Sequence, residues 1–275
     1  MKRNLLLGII LAVAVASCSE IATAASLELK LLHDKPVYLI AEPIWIDILV
    51  INHGSDTVSV PYPGPTLDLQ KFVVVNNGVD TLPYRGDILS LTEIPKYSLA
   101  PGDTLYGLFN LLDGYRHAKS SNVFYSKPLL GEVTVLSFYY NLVTSNTISF
   151  TIAEPSGAER QAYDLLTEGT HHEYLVRSKA KLEELIEHFP NSVYAPLACL
   201  CFTTSDDPEQ NVKYGLMLLD IYPESGYAES GFPHFVGDCK GSERDAKLDS
   251  LMAADKPFRL RMLARSWKRN MAIYY

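Results

Sequence analysis

The feature that most constrains this chain is Phe189-Pro190-Asn191-Ser192-Val193-Tyr194-Ala195, which returns 33 residues later as Tyr222-Pro223-Glu224-Ser225-Gly226-Tyr227-Ala228. The correspondence runs on: Ala198 falls on Gly231 and Phe202 on Phe235. A period in this range marks a helical repeat. Each copy reads the same way. An aromatic closes one helix, Pro stops it, Ser caps the next, and a Tyr-Ala pair opens that helix's buried face.

The surrounding periodicity agrees. Apolar residues recur at helical spacing over Ala158 to Glu168, Tyr174 to Phe189, Ser192 to Thr203 and Pro208 to Tyr222, the last capped by Asp206-Asp207. Pro196 falls in a first turn, where its missing N–H costs little. A fifth helix is expected over Tyr227 to Asp238, although Pro233 and two glycines weaken it. A sixth starts at Ser242, and Pro257 to Met271 forms the last. That final segment carries Lys256, Arg259, Arg261, Arg265, Lys268 and Arg269 with no acid after Asp255. It reads as a capping helix with a polar outer face, or as a basic face for an acidic partner or anionic headgroups.

Before residue 155 the period is 2. Leu27, Leu29 and Leu31 alternate. Over Pro43 to Ile51, Ile44, Ile46, Ile48 and Val50 face one way, and Trp45, Asp47, Leu49 and Ile51 the other, as in a central strand. Thr57 to Val60 returns after the turn Asn52 to Asp56, and Asn76-Asn77-Gly78 is a hairpin signal between Leu69–Val75 and Val79–Leu82. Pro101-Gly102-Asp103 feeds Leu105 to Leu111, and Glu132 to Asn141 and Thr147 to Ile152 complete a set that predicts a β-sandwich. The period changes at Glu154-Pro155-Ser156-Gly157.

Lys2 and Arg3 followed by a 12-residue apolar run, Leu5 to Ala16, form a secretion signal too short to span a bilayer. Val15-Ala16-Ser17-Cys18 then resembles the lipobox of bacterial lipoproteins, which implies cleavage before Cys18 and a diacylglycerol on its thiol. Ser19 after the cysteine implies, by the same resemblance, the outer membrane. Cleavage near Ala24, giving a soluble periplasmic or secreted chain, is the alternative. The expected organisation is a signal peptide over 1–17, a tether over 18–25, a sandwich domain over 26–155 and a helical repeat domain over 156–275.

The strand-rich half, with Val37-Tyr38, Glu42-Pro43, Pro101-Gly102-Asp103 and Ser145-Asn146-Thr147, resembles bacterial immunoglobulin-like domains. It is also similar to a bacterial family of small proteinase-inhibitor domains. The helical half resembles the tetratricopeptide repeat, on the residues Phe189, Pro190, Ser192, Tyr194 and Ala195 and their counterparts Tyr222, Pro223, Ser225, Tyr227 and Ala228. Its spacing is 33 rather than that family's 34, and Thr203 stands where a Gly is frequent.

Without Lys2 and Arg3, 22 basic residues face 32 acidic ones, a balance that argues against a nucleic-acid partner. No catalytic set stands out. His171-His172-Glu173 lacks metalloprotease spacing, and no nucleophile elbow or phosphate-binding glycine loop occurs. Glu183, Glu184 and Glu187 read as a solvated face, His188 as a helix-end cation, His234 as a wall residue, and His117 as a solvated loop residue. Arg85-Gly86-Asp87 reads as a chance turn triplet. Cys199, Cys201 and Cys239 leave an odd thiol; one of the first two could face Cys239, or all could be small buried hydrophobes. No metal site or cofactor is expected. The reading is a non-enzymatic, lipid-anchored scaffold that binds an envelope protein or peptide through its repeats and sandwich loops. The alternatives are a proteinase inhibitor acting through the sandwich and a carbohydrate-binding module.

Overall fold

The computed structural model describes residues 27–63, 70–78, 80–82, 96–114, 130–139, 143–170, 176–237 and 241–274. Cys18, Arg85 to Asp87, His117, His171, His172 and Cys239, all singled out in the sequence, lie outside them.

Strands β1 (Leu27–Leu32), β3 (Trp45–Asn52) and β8 (Thr104–Asn110) form one antiparallel sheet with β3 in the middle. The second sheet runs, in order, through β2 (Val37–Leu39), β11 (Ile148–Ala153), β9 (Gly131–Tyr139), β5 (Gln70–Asn76) and β6 (Asp80–Leu82). The short β10 (Val143–Thr144) lies against β9. Between the two sheets lies one apolar core, to which β1 gives Leu29 and Leu31, β3 gives Ile46, Ile48 and Val50, and the opposite sheet gives Val74, Val133, Val135 and Phe150. The start of the chain changes sheets: β1 runs antiparallel to β3, whereas β2 runs parallel to β11, Val37 opposite Thr151. Two sheets split in this way have the wiring of an immunoglobulin-like sandwich. The Asn146 amide fastens the switch, accepting from the Leu31 N–H at 2.8 Å and donating to the Leu31 carbonyl at 3.0 Å.

Turn chemistry sits where the sequence puts it. Asn77 and Gly78 adopt left-handed φ values of 50° and 68° between β5 and β6, the conformation that favours Asn-Gly. The strand expected over Thr57 to Val60 forms, with its partner further along the chain. β4 (Val58–Pro61) does not return onto β3; it pairs with β7 (Lys96–Leu99), Val58 opposite Leu99. Both edges of β3 are already taken by β1 and β8.

After β8 comes one helical turn, α1 (Leu111–Gly114). Following β11 the chain is helical: α2 (Gly157–Gly169), α3 (Lys179–His188), α4 (Ala195–Thr203), α5 (Pro208–Asp220), a 3₁₀ helix η1 (Gly226–Gly231), α6 (Phe232–Gly237), α7 (Ser242–Leu251) and α8 (Phe258–Tyr274). Consecutive helices from α2 to α6 pack side by side, as do α7 and α8. Helix α4 buries Leu197, Ala198, Cys199, Cys201 and Phe202 and leaves only a half-buried face of Pro196, Leu200 and Thr203. Two expected helices are altered. The second begins only at Lys179, because the Arg177 and Ser178 N–H groups both donate to the Gly169 carbonyl and turn the chain first. The fifth is split into η1 and α6. Pro233 sits at the start of α6, where its missing N–H is tolerated.

The two copies of the repeated stretch fold alike. Ser192 and Ser225 each accept, through the side-chain oxygen, from the N–H two residues on, both at 3.2 Å. Their own N–H groups donate to the carbonyls of Phe189 and Tyr222, both at 2.9 Å.

The helical clusters pack directly onto the sandwich. Trp45, Leu39 and Ala41 pack into the cluster built on α2 to α5, and Tyr106, Leu49 and Leu108 into the one built on α6 to α8. The helical half meets the sandwich closely at Gly226, where a Cβ would lie 2.1 Å from the Trp45 ring. Gly226→Ala should therefore cost about 1–3 kcal/mol through forced displacement. Urea unfolding with an unchanged midpoint would show that this contact yields freely.

Candidate functional site

Where the repeat meets the sandwich, the chain leaves a cleft of about 450 Å³. Its sandwich wall is Asp34, Lys35, Glu42, Pro43 and Trp45. The facing wall takes Val193 and Pro196 from the first copy of the repeat, and Tyr222, Pro223, Glu224 and Ser225 from the second. Ile221 stands on the rim, 55% exposed. Both repeat copies therefore contribute to one concave surface.

The repeated tyrosines do not line the cleft; they fasten its walls together. Tyr194 is fully buried and its hydroxyl donates to the Ile40 carbonyl at 2.7 Å. Tyr227 receives the Asn110 amide at 3.3 Å and meets the Trp45 ring edge to face, with centroids 4.8 Å apart. On the sandwich side, Ala41 holds a left-handed φ of 58°. The Glu42 carboxylate accepts from the Leu39 N–H at 2.8 Å, closing that turn, and pairs with Lys35. Burial pushes the Glu42 carboxyl above its ordinary value, opposed by Lys35 and the Leu39 N–H.

At the end of the cleft lies a buried charge network. Arg259, 4% exposed, grips Asp47 with two nitrogens, Nη2 at 3.1 Å and Nε at 3.3 Å, and its Nη1 donates to the Glu224 carbonyl at 2.7 Å. The Tyr106 hydroxyl donates to Asp47 at 2.6 Å. Burial works against the Arg259 charge, but Asp47 outweighs it and holds the guanidinium above its ordinary value.

Two polar atoms of cleft-lining residues, Trp45 Nε1 and the Tyr222 hydroxyl, are buried without a partner among the described residues. Each orphaned group of this kind costs about 1–3 kcal/mol. The cleft thus combines the apolar surfaces of Pro43, Trp45, Pro196, Tyr222 and Pro223 with the charged groups of Asp34, Lys35, Glu42, Glu224 and Arg259.

Other residues noted in the sequence lie elsewhere. Cys199 and Cys201 are buried and free, and burial pushes both thiols up to about 12, which removes them as nucleophiles. His188 ends α3, the His234 ring packs beside Gly215, and Glu184 pairs with Lys181. Among the described residues no group of three or more His, Cys, Asp or Glu could hold a metal ion, and no helix is long and apolar enough to cross a membrane. Sequence reading missed Trp45, Ile221 and Arg259 as cleft residues. The available signal was Asp47, a lone acid in an apolar strand, which when buried requires a cation from elsewhere.

Arg259→Met should destabilise the fold by about 3–5 kcal/mol by stranding a buried carboxylate. Asp47→Leu together with Arg259→Met should recover most of that loss. A double variant as unstable as the single, by urea unfolding, would contradict the assignment.

No family model matches the chain, and neither does any curated protein. Solved structures give slight likenesses. The CARDB domain of the PF1109 protein of Pyrococcus furiosus, solved in complex with di-metal ions, is 14% identical with a TM-score of 0.26 over 47% of this chain and 94% of that domain. A β-glucosidase of Erythrobacter marinus is 15% identical, TM-score 0.29, over 46% of this chain and 16% of the enzyme. A β-glucosidase of Listeria innocua, in complex with glucose, is 9% identical, TM-score 0.27, over the same shares. This chain spans less than a fifth of either glucosidase. At such scores none of these likenesses bears on what the chain does.

Proposed function

We propose that this chain is a non-enzymatic scaffold, held at the outer membrane by a lipid on Cys18, that grips a segment of an envelope protein or peptide in the cleft between its sandwich and its helices. The observation that carries this reading is the convergence of both repeat copies and Trp45 on one groove of about 450 Å³. The helices are divergent tetratricopeptide-like repeats in this reading, supported by the matched hydrogen bonding of Ser192 and Ser225. A partner segment in extended form suits walls built from Pro43, Pro196, Pro223 and Tyr222. Such a segment offers free carbonyls and presents side chains at regular spacing. The exposed Ile221 supplies an apolar contact at the rim, the kind of residue that protein partners cover.

The lipobox residues Val15 to Cys18 support the anchor, and the chain's net charge of −8 argues against nucleic acid. Mass spectrometry of the mature chain should find a diacylglyceryl group on Cys18; a mature N-terminus near Ala25 would replace the anchor with a soluble form. A photo-crosslinking amino acid at position 221 should trap a discrete envelope protein. Ile221→Asp should reduce co-purification of that protein by tenfold or more while leaving the melting temperature unchanged. Equal recovery with Ile221→Asp would place the contact elsewhere.

A further inference from the structure

Helix α8 carries a second feature that the cleft does not use. Arg261, Arg265 and Arg269 recur at every fourth residue and so form one row along the helix. Like charges at that spacing repel and weaken a helix unless something opposite neutralises them. The chain has acids to spare, and the other cations of this helix use them: Arg259 pairs with Asp47, and Lys268 with Asp249 at 2.5 Å. Among the described residues, none of the three arginines in the row forms an ion pair. The Nε of Arg261 is buried without a partner, and the bond from Arg265 goes to a thioether, Met262 Sδ at 3.8 Å.

Arg265 and Arg269 open onto a polar depression of about 340 Å³, closed on the far side by Gly102 to Tyr106. The hydroxyl-bearing residues Thr104 and Ser266 line it. Asp103 lines it too, with its carboxylate occupied in the turn by the Ala100 N–H at 3.2 Å. Two guanidinium groups against one carboxylate leave the site positive. Planar forked donors beside hydroxyls are the chemistry that recognises a phosphate.

The position of this pocket in the fold points to the source of that phosphate. Leu27, where β1 begins, pairs with Asn52. The Asn52 N–H donates to the Asp103 carbonyl at 3.0 Å, and its carbonyl accepts from the Gly102 N–H at 2.8 Å. The chain therefore enters the sandwich beside the turn that closes the pocket. From Cys18 to Leu27 even a fully extended chain reaches only ~30 Å, at ~3.3–3.6 Å per residue. A lipid on Cys18 keeps this end of the molecule close to the bilayer.

We propose that Arg265 and Arg269 bind the phosphate of an anionic phospholipid headgroup at the membrane that holds the chain. The proposal rests on the lipid anchor of the preceding section for the orientation of the molecule. Its test uses the full-length chain with Cys18→Ser, which cannot be lipidated, floated with vesicles of phosphatidylcholine alone or enriched in phosphatidylglycerol. The chain should bind the phosphatidylglycerol vesicles more tightly. Arg265→Gln/Arg269→Gln should weaken that binding by on the order of tenfold, as removal of two interfacial cations implies. A charge-matched control on the exposed Arg177→Gln/Lys179→Gln should bind as before, and thermal melting should show all three variants folded. Equal binding by the pocket variant and the control overturns the proposal. So does inorganic phosphate held by the two arginines without any preference for phosphatidylglycerol, which would assign a free anion instead. Capture of an acidic protein by the same arginines without vesicle binding overturns it as well. Lipidation of Cys18, read separately by mass, decides the anchor independently of the pocket.

Discussion

Strand β3 must bury both of its faces, and the rest of the molecule is arranged around that requirement. Its inner residues, Ile46, Ile48 and Val50, close the sandwich. Its outer residues, Trp45 and Leu49, would leave an apolar strip in water if the sheet stood alone. The helical half covers that strip, and the cost of covering it is the burial of Asp47. A carboxylate in that position needs a matched cation and further donors, and Arg259 and Tyr106 provide them. The ion pair ties β3 to a helix 212 residues away and specifies the seating of one half on the other. Apolar contacts alone would tolerate sliding.

The repeat is used in the same spirit. In a free-standing stack each copy would shelter its neighbours only. Here each copy keeps its local hydrogen bonds, but Tyr194 and Tyr227 reach out of the helical layer to Ile40 and Asn110 of the sandwich. The spacing of 33 residues thus becomes a spacing of two anchor points, one on the turn after β2 and one at the end of β8. The split of the fifth helix follows from this. Gly226 lies against the Trp45 ring and Gly231 against the Gly215 carbonyl, so this segment is pinned on two sides.

What could be read from the residues was what local chemistry fixes. Alternation gave the sandwich strands, Asn77-Gly78 gave its turn, Ser225 and Asp207 gave their caps, and the two-faced character of β3 was plain. Ser192 instead accepts from the Tyr194 N–H ahead of α4, whose N-cap is Tyr194 without a side-chain bond. The interactions between distant segments were not legible. Nothing near Arg259 distinguishes it from Arg261 or Arg265 on the same basic helix, and only the three-dimensional approach of β3 does so. β4 found β7 because both edges of β3 were taken, one by β1 and the other by the distant β8. The cleft went unseen for the same reason: its walls come from residues 34–45, 193–225 and 259, and no local pattern joins them.

The layer formed by β3 and α8 has a direction, and that direction separates two kinds of surface. Trp45 begins β3 at the cleft, and Asn52 ends it beside the turn of the arginine pocket. Arg259 borders the cleft, and Arg269 lines the pocket, ten residues and about 15 Å further along the helix at 1.5 Å per residue. β8 runs back the other way, from Thr104 at the pocket to Asn110, which bonds Tyr227 near the cleft. The chain enters at Leu27, on the pocket end. Under the proposed lipid anchor, a tether leading to Leu27 would turn the positive end of the layer toward the membrane and the cleft away from it. One strand and one helix, locked by a single buried ion pair, are enough to hold those two surfaces apart and fix their relative orientation.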